Sequence, residues 1–266
     1  MVIPGKKTLK RRLTEGEILF GTFYKFNDPH LTEMLGLAGF DFIIVDGEHS
    51  AYSYSEMQDT VRAANGVGMD AVIRVPSGLP EHILHACDLG AQGVQVPSLV
   101  DVGDVRTVVD NMRFYPVGHR GFGTTTRAAR YTFSDTQAFL EYSNNELLCV
   151  IMVERLAMVE QLEALCAVPT VDVLFIGVGD LSQEVGKPGQ TGCREVQEIA
   201  KKITDTALAR GKIVGMYCAT LADVERAIGW GMKYIAFSAE LNMIANKFRE
   251  TIASLHDLRT RKTRGA

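Results

Sequence analysis

The chain has 266 residues, of which 46% are hydrophobic, 23% charged and 8% aromatic, an apolar content that excludes extensive disorder. With 28 Lys and Arg against 32 Asp and Glu, the net charge is -4, which excludes a broad basic surface for nucleic acid or an anionic membrane. A chain of this length buries roughly 70–75% of its unfolded surface in one core, so a single domain acting on a small molecule is the expectation.

Residues 1–18 read as an N-terminal extension without a signal-peptide apolar stretch, and residues 259–266 as a short basic tail. No run approaches the length of a membrane span. The five cysteines (Cys87, Cys149, Cys166, Cys193, Cys218) are odd in number and never spaced C-x-x-C, so they read as reduced thiols of a cytoplasmic protein.

In chain order, short runs rich in Val, Ile and Phe alternate with stretches of helical spacing. Strand 19–23 precedes helix 29–38, then come 42–46 with 55–64, 71–75 with 80–88, and 93–97 with 102–111. The series continues with 148–154 and 157–165, 171–176 and 195–209, 213–217 and 221–229, and 234–237 and 241–258. The nearly continuous apolar strands indicate a parallel sheet covered on both faces, and Gly66, Gly90, Gly211 and Gly231 stand where left-handed helix caps belong. Eight such units in about 250 residues predict a closed (β/α)₈ TIM barrel, a single-domain α/β fold spanning 19–258. An open doubly wound sheet is the alternative, but no G-x-G-x-x-G follows the first strand. The insertion 112–145, with Gly118-His-Arg-Gly-Phe-Gly123 and several arginines, is long enough to suggest a function.

In such a barrel, chemistry belongs at the C-terminal ends of the strands. Strand two ends in Asp46-Gly-Glu-His49, strand three carries Arg74, strand five ends in Glu154, and strand six runs into Gly177-Val-Gly-Asp180. Glu154 and Asp180 on neighbouring units should converge at the mouth, where two carboxylates suit a hard divalent cation. Equally, Asp180 could cap the following helical turn, and Glu154 could pair with Arg155 or Arg120. His49 suits acid/base work, or is a surface-loop histidine. Arg74 suits developing enolate or carboxylate charge, or forms an inter-strand ion pair with Asp46 or Glu48. Gly177-Val-Gly179 offers backbone N–H groups to an anion. His82 and His85 read as solvated helix residues, and Lys212 precedes its strand and so points to the stability face.

Phe42-Ile-Ile-Val-Asp-Gly-Glu-His49, Val72-Ile-Arg-Val75, Asp88-Leu-Gly-Ala-Gln92, Gly118-His-Arg-Gly121, Arg127-Ala-Ala-Arg130, Val153-Glu154 and Phe175-Ile-Gly-Val-Gly-Asp-Leu-Ser182 together resemble the class II pyruvate aldolases, the HpcH/HpaI aldolase family. The resemblance implies retro-aldol cleavage of a 4-hydroxy-2-oxo acid to pyruvate and an aldehyde. It implies that Glu154 and Asp180 hold Mg²⁺, Mn²⁺ or Co²⁺, that Arg74 stabilises the enolate, and that Gly179 and Asp180 take the pyruvate carboxylate. His49 would relay protons, aided by an aspartate matching Asp88 from a neighbouring subunit, while Asp46 supports the site. Family members tend to be hexamers, trimers of dimers that exchange the last helix. This chain departs from the resemblance at Met152, where the family has a glutamine two residues before the metal-binding glutamate, and at Gly177-Val-Gly-Asp180. Met152 is therefore expected in the substrate pocket. The same barrel also admits decarboxylation of a 2-oxo diacid, citrate-lyase-like cleavage of an acyl-CoA, or oxo-acid binding without turnover.

Overall fold

The computed structural model describes residues 7–264. Strands β1 (Leu19–Tyr24), β2 (Phe42–Asp46), β3 (Asp70–Arg74), β4 (Gly93–Val96), β5 (Leu148–Val153), β6 (Val173–Ile176), β7 (Ile213–Cys218) and β8 (Tyr234–Ala239) pair in parallel and in sequence order, and β8 closes onto β1. The expected barrel is therefore present, with strand limits within two residues of those read from the apolar runs.

Around it run α1 (Leu9–Thr14), α2 (Pro29–Leu37), α3 (Tyr54–Gly66), α4 (Pro80–Asp88), α5 (Val102–Met112) and α6 (Thr136–Asn145). The remaining helices are α7 (Leu156–Val159), α8 (Leu162–Cys166), α9 (Val178–Glu184), α10 (Arg194–Ala209), α11 (Leu221–Gly229) and α12 (Glu240–Arg264). Three departures from expectation have local causes. The helix expected at 157–165 is split at Glu160-Gln161, where the Gln161 amide donates to the Val100 and Ala157 carbonyls. Gly66 ends α3 within the helix, and the left-handed cap falls at Gly68 (φ 77°), whereas Gly90, Gly211 and Gly231 adopt positive φ as expected. The 112–145 insertion contains α6, begun by Asp135 accepting from the Ala138 N–H.

Side-chain alternation divides the apolar residues into two layers. On β5, Cys149, Ile151 and Val153 pack outward against the helices, while Leu148, Val150 and Met152 fill the barrel interior. Leu9 and Leu13 of α1, four residues apart, are fully buried in that interior cluster, so α1 packs onto the barrel interior. Near the same end Phe42 stacks on Tyr234 at 4.3 Å, and a Cβ at Gly21 would lie 2.3 Å from the Phe42 ring, so only glycine fits there. Lys212 donates to the Val168 and Val171 carbonyls beside the start of β7, away from the mouth.

Among the described residues no helix is long and apolar enough to cross a membrane. All five cysteines are free thiols, and only Cys193 is partly exposed. Burial pushes the thiols of Cys149 and Cys218 up to about 12 and raises those of Cys87 and Cys166. Iodoacetamide applied to the native protein is accordingly expected to modify Cys193 alone, with the other four reacting only in denaturant. Native-state modification of a buried cysteine, read by peptide mass spectrometry, would contradict this packing.

Candidate active site at the barrel mouth

The C-terminal ends of the strands gather the charged residues that the apolar interior excludes. Asp46 ends β2, fully buried, and receives three sets of donors. Arg74 of β3 gives Nε and Nη2 to Oδ1 at 2.8 and 2.7 Å, Lys25 gives Nζ to Oδ2 at 2.5 Å, and the N–H groups of Glu48 and His49 complete the set. Burial alone would raise the Asp46 carboxyl, but Arg74 and Lys25 overcome it and hold the group down at about 2. Arg74 also gives Nη1 to Glu48 at 2.8 Å and stacks 4.7 Å above the Phe23 ring. The ion-pair reading of Arg74 is thus realised, with both acids, and the same arginine lines the mouth pocket.

Glu154 follows β5 and is almost fully buried. Its Oε1 accepts from the Ser98 N–H at 2.6 Å, while its Oε2 is buried without a hydrogen-bond partner. Ser98 adopts φ 60°, a left-handed conformation unusual for serine, at the point where its N–H meets that carboxylate. Neither ion pair open to Glu154 is formed, since Arg155 pairs with Glu184 and Arg120 with Asp88. Burial, reinforced by the charges of Asp180 and Glu48, raises the Glu154 carboxyl to about 7. Burial likewise raises that of Glu48. A Cβ on Gly177 would lie 2.5 Å from Glu154 Oε2, so glycine at that position is what admits the carboxylate. Asp180 lies in the first turn of α9, exposed, next to the equally exposed Gly179.

These groups surround a pocket of about 260 Å³ lined by Phe23, Lys25, Arg74, Met152, Phe175, Gly179, Asp180 and Tyr217, among others. Met152 lies in the interior layer and in this lining, as the alternation from Glu154 requires. His49 stands at the rim with its side chain 62% exposed, its Nε2 3.8 Å from Glu48. Asp88 is apart from the cluster in its own chain: it ends α4 and pairs with Arg120 of the long insertion. The insertion's arginines have structural partners, Arg127 with the Leu89 carbonyl at 3.0 Å and Arg113 with the Ser143 carbonyl at 2.7 Å. His82 meets Ser77 at 3.0 Å and His85 stacks on Tyr54 at 4.2 Å.

Three mouth residues escaped the sequence reading. Lys25 lies one residue beyond β1, past the strand end at 23 read from the apolar run. Glu240 opens α12 and accepts the Lys25 and Phe26 N–H groups at 2.6 and 2.7 Å, which fixes the loop carrying Lys25. Ser98 had no signal, because its role depends on backbone conformation.

One buried carboxylate with an unpartnered oxygen, near a second, exposed carboxylate, fits a divalent cation. Glu154 has one oxygen free, with Asp180 and Glu48 close enough to repel it, so positive charge is what this part of the mouth lacks. Among the described residues, no three His, Cys, Asp or Glu side chains form a ready metal cage. The remaining ligands would have to be substrate oxygens or water.

Fold and mouth together define a (β/α)₈ enzyme whose acidic centre adjoins a buried arginine. The sequence model of the HpcH/HpaI aldolase/citrate lyase family matches residues 19–247. The chain is 30% identical to the hydroxypyruvate/pyruvate aldolase of Roseovarius nubinhibens over 92% of its length and 95% of that protein. It is 29% identical to the 2-keto-3-deoxy-L-rhamnonate aldolase of Klebsiella pneumoniae, covering 87% of this chain and 86% of the relative. The HpcH/HpaI aldolase structure from Desulfitobacterium hafniense superposes with TM-score 0.89 at 25% identity, over 94% of this chain and 97% of the other. The chain belongs to the HpcH/HpaI aldolase/citrate lyase family.

Proposed function

We propose that the chain is a divalent-cation-dependent carbon–carbon lyase that cleaves a 4-hydroxy-2-oxo acid to pyruvate and an aldehyde. The observation that carries this reading is the buried Glu154 carboxylate with its free Oε2, close enough to Asp180 to feel its charge, beside a pocket that Asp180 and Arg74 line. The aldolase names of its relatives support it. Held by Glu154 and Asp180, Mg²⁺, Mn²⁺ or Co²⁺ would supply Lewis acidity toward the keto and carboxylate oxygens of the substrate.

The protein's own groups divide the remaining work. His49, at the rim, takes the proton of the C4 hydroxyl through a water, aided by Asp88 of the partner subunit. The C3–C4 bond then breaks, the aldehyde leaves, and the bonding pair passes into the pyruvate enolate. Arg74 stabilises the enolate oxygen, oriented by Asp46 and Glu48. The first-turn N–H groups at Gly179 and Asp180 bind the carboxylate. Protonation of C3 by the returning proton yields pyruvate. Met152 adds an apolar wall, which favours aldehydes less polar than sugar acids. The direct test is pyruvate release from a panel of 4-hydroxy-2-oxo acids, followed by coupled NADH oxidation. Release should require added cation and stop on chelation, and cation-independent release would overturn the metal assignment.

The site needs a second subunit for Asp88, and α12 offers the means. Phe248, Ile252 and Leu255 are 69%, 50% and 53% exposed, at spacings that align them on one helix face. We assign that face to exchange with a neighbouring copy in a hexamer, built as a trimer of dimers, in a reducing cytoplasm. Deleting residues 248–266 is expected to reduce the assembly to smaller species by light scattering. An unchanged mass would remove α12 from the interface.

A further inference from the structure

Gln95 of β4 is fully buried, and neither Oε1 nor Nε2 finds a hydrogen-bond partner in the protein. An amide in that state opposes folding, because it has given up water and gained nothing in return. Its neighbours on the strand, Val94 and Val96, both belong to the outer layer, so Gln95 points into the barrel. The register fixes its height: Gln95 pairs with Arg74 on one side and with Val150 on the other. Val150 is one inward-facing step, about 7 Å of strand, below Met152. Gln95 therefore stands level with Arg74 in register and one inward step below Met152, both of which line the pocket. The interior cluster there holds the apolar side chains of Ile44, Val72, Val150 and Phe175, together with Tyr234, whose hydroxyl is likewise buried without a hydrogen-bond partner.

A polar group with both donor and acceptor free, one inward step below a flexible thioether that lines the pocket, is matched to a guest that enters from the pocket. Methionine has three rotatable bonds and offers the guest no useful hydrogen bond of its own. We infer that Gln95 is a positioning residue of the active site, which holds one water beneath Met152 and through it fixes the oxo acid against Arg74. The inference rests on the proposed lyase reading for its substrate, and on the orphaned amide for its location. The amide takes both roles toward the water, donating from Nε2 and accepting at Oε1, so the water's remaining hydrogen bonds are directed upward to the substrate.

Replacement of Gln95 by an apolar side chain of similar size separates positioning from packing. For Gln95→Leu, with Gln95→Met as a second variant of matched volume, the melting temperature should change little, since the amide gives up no hydrogen bond to the protein. With Mn²⁺ present, the kcat for pyruvate methyl-proton exchange should fall at least ten-fold, while the KM for pyruvate changes less than about three-fold. Adding Met152→Gln to Gln95→Leu restores an amide from the adjacent strand and should recover most of the loss. A crystal of the wild type should show a water within about 3.2 Å of the Gln95 amide. Full activity in both single variants, loss of activity together with several degrees of stability, or an amide bonded only to protein groups would each overturn the inference. A wild type that never exchanges pyruvate protons would instead overturn the lyase reading, and the water at Gln95 would still decide this one.

Discussion

Arg74→Ala is expected to lower turnover by roughly two to four orders of magnitude, a loss of about 3–5 kcal/mol of transition-state stabilisation. The size follows from its setting. The guanidinium is buried, held on three sides by Asp46, Glu48 and the Phe23 ring, and cannot relax when charge develops on a substrate beside it. Such a preorganised group acts on the enolate only as it forms, so cation affinity should change little. Lysine lacks the fork that meets Asp46 and Glu48 together, and Arg74→Lys should recover only part of the rate. Because Arg74 also neutralises Asp46, Arg74→Ala leaves a buried carboxylate with Lys25 as its remaining cation, and a lower melting temperature is expected as well. The pair Arg74→Ala and Asp46→Asn separates the two effects: the double variant should regain stability and stay inactive. Near-normal turnover in Arg74→Ala would make the arginine purely structural.

Glu154→Gln is expected to abolish cation binding, weakening Mn²⁺ affinity at least ~100-fold by calorimetry, with turnover lost to the same degree. The melting temperature without metal should hold or rise, because the substitution removes a buried charge that burial and the neighbouring carboxylates already destabilise. That opposite movement of stability and binding is what distinguishes a ligand from a residue that merely braces Ser98. Asp180→Asn should lose affinity similarly but leave stability unaffected, since Asp180 is exposed. Wild-type Mn²⁺ affinity in either variant would remove that residue from the metal centre.

The barrel was legible because a parallel sheet covered on both faces writes itself as apolar runs. Runs such as Phe42-Ile-Ile-Val45 have almost no other stable use, and strand ends then locate Asp46, Arg74, Glu154 and Asp180 without further information. The same logic placed Met152 beside Glu154, since residues two apart on a strand share a face. Other features depend on partners distant in sequence. Leu9 and Leu13 are only two apolar positions in a basic stretch, and their burial is decided by the open end of a barrel formed much later in the chain. The long insertion with its arginines suggests a function in sequence, yet Arg113, Arg120 and Arg127 bond to carbonyls and to Asp88, which only the packed chain brings within reach. Gln95 reads as one polar residue within an apolar strand, and its meaning emerges only when register places it beside Arg74. At Arg74 the two readings of one residue are compatible, since the ion pair with Asp46 fixes the guanidinium where the proposed chemistry would need it.

On the proposed reading, this mouth generates a pyruvate enolate with the help of a divalent cation held by Glu154 and Asp180. Enolate formation can be measured without knowing the aldehyde, by following exchange of the pyruvate methyl protons in deuterated buffer by NMR. Exchange should accelerate on addition of Mg²⁺ or Mn²⁺, cease with chelator, and be lost in both Arg74→Ala and Glu154→Gln. Exchange at the uncatalysed rate with every cation, or equal exchange in wild type and Glu154→Gln, would contradict it.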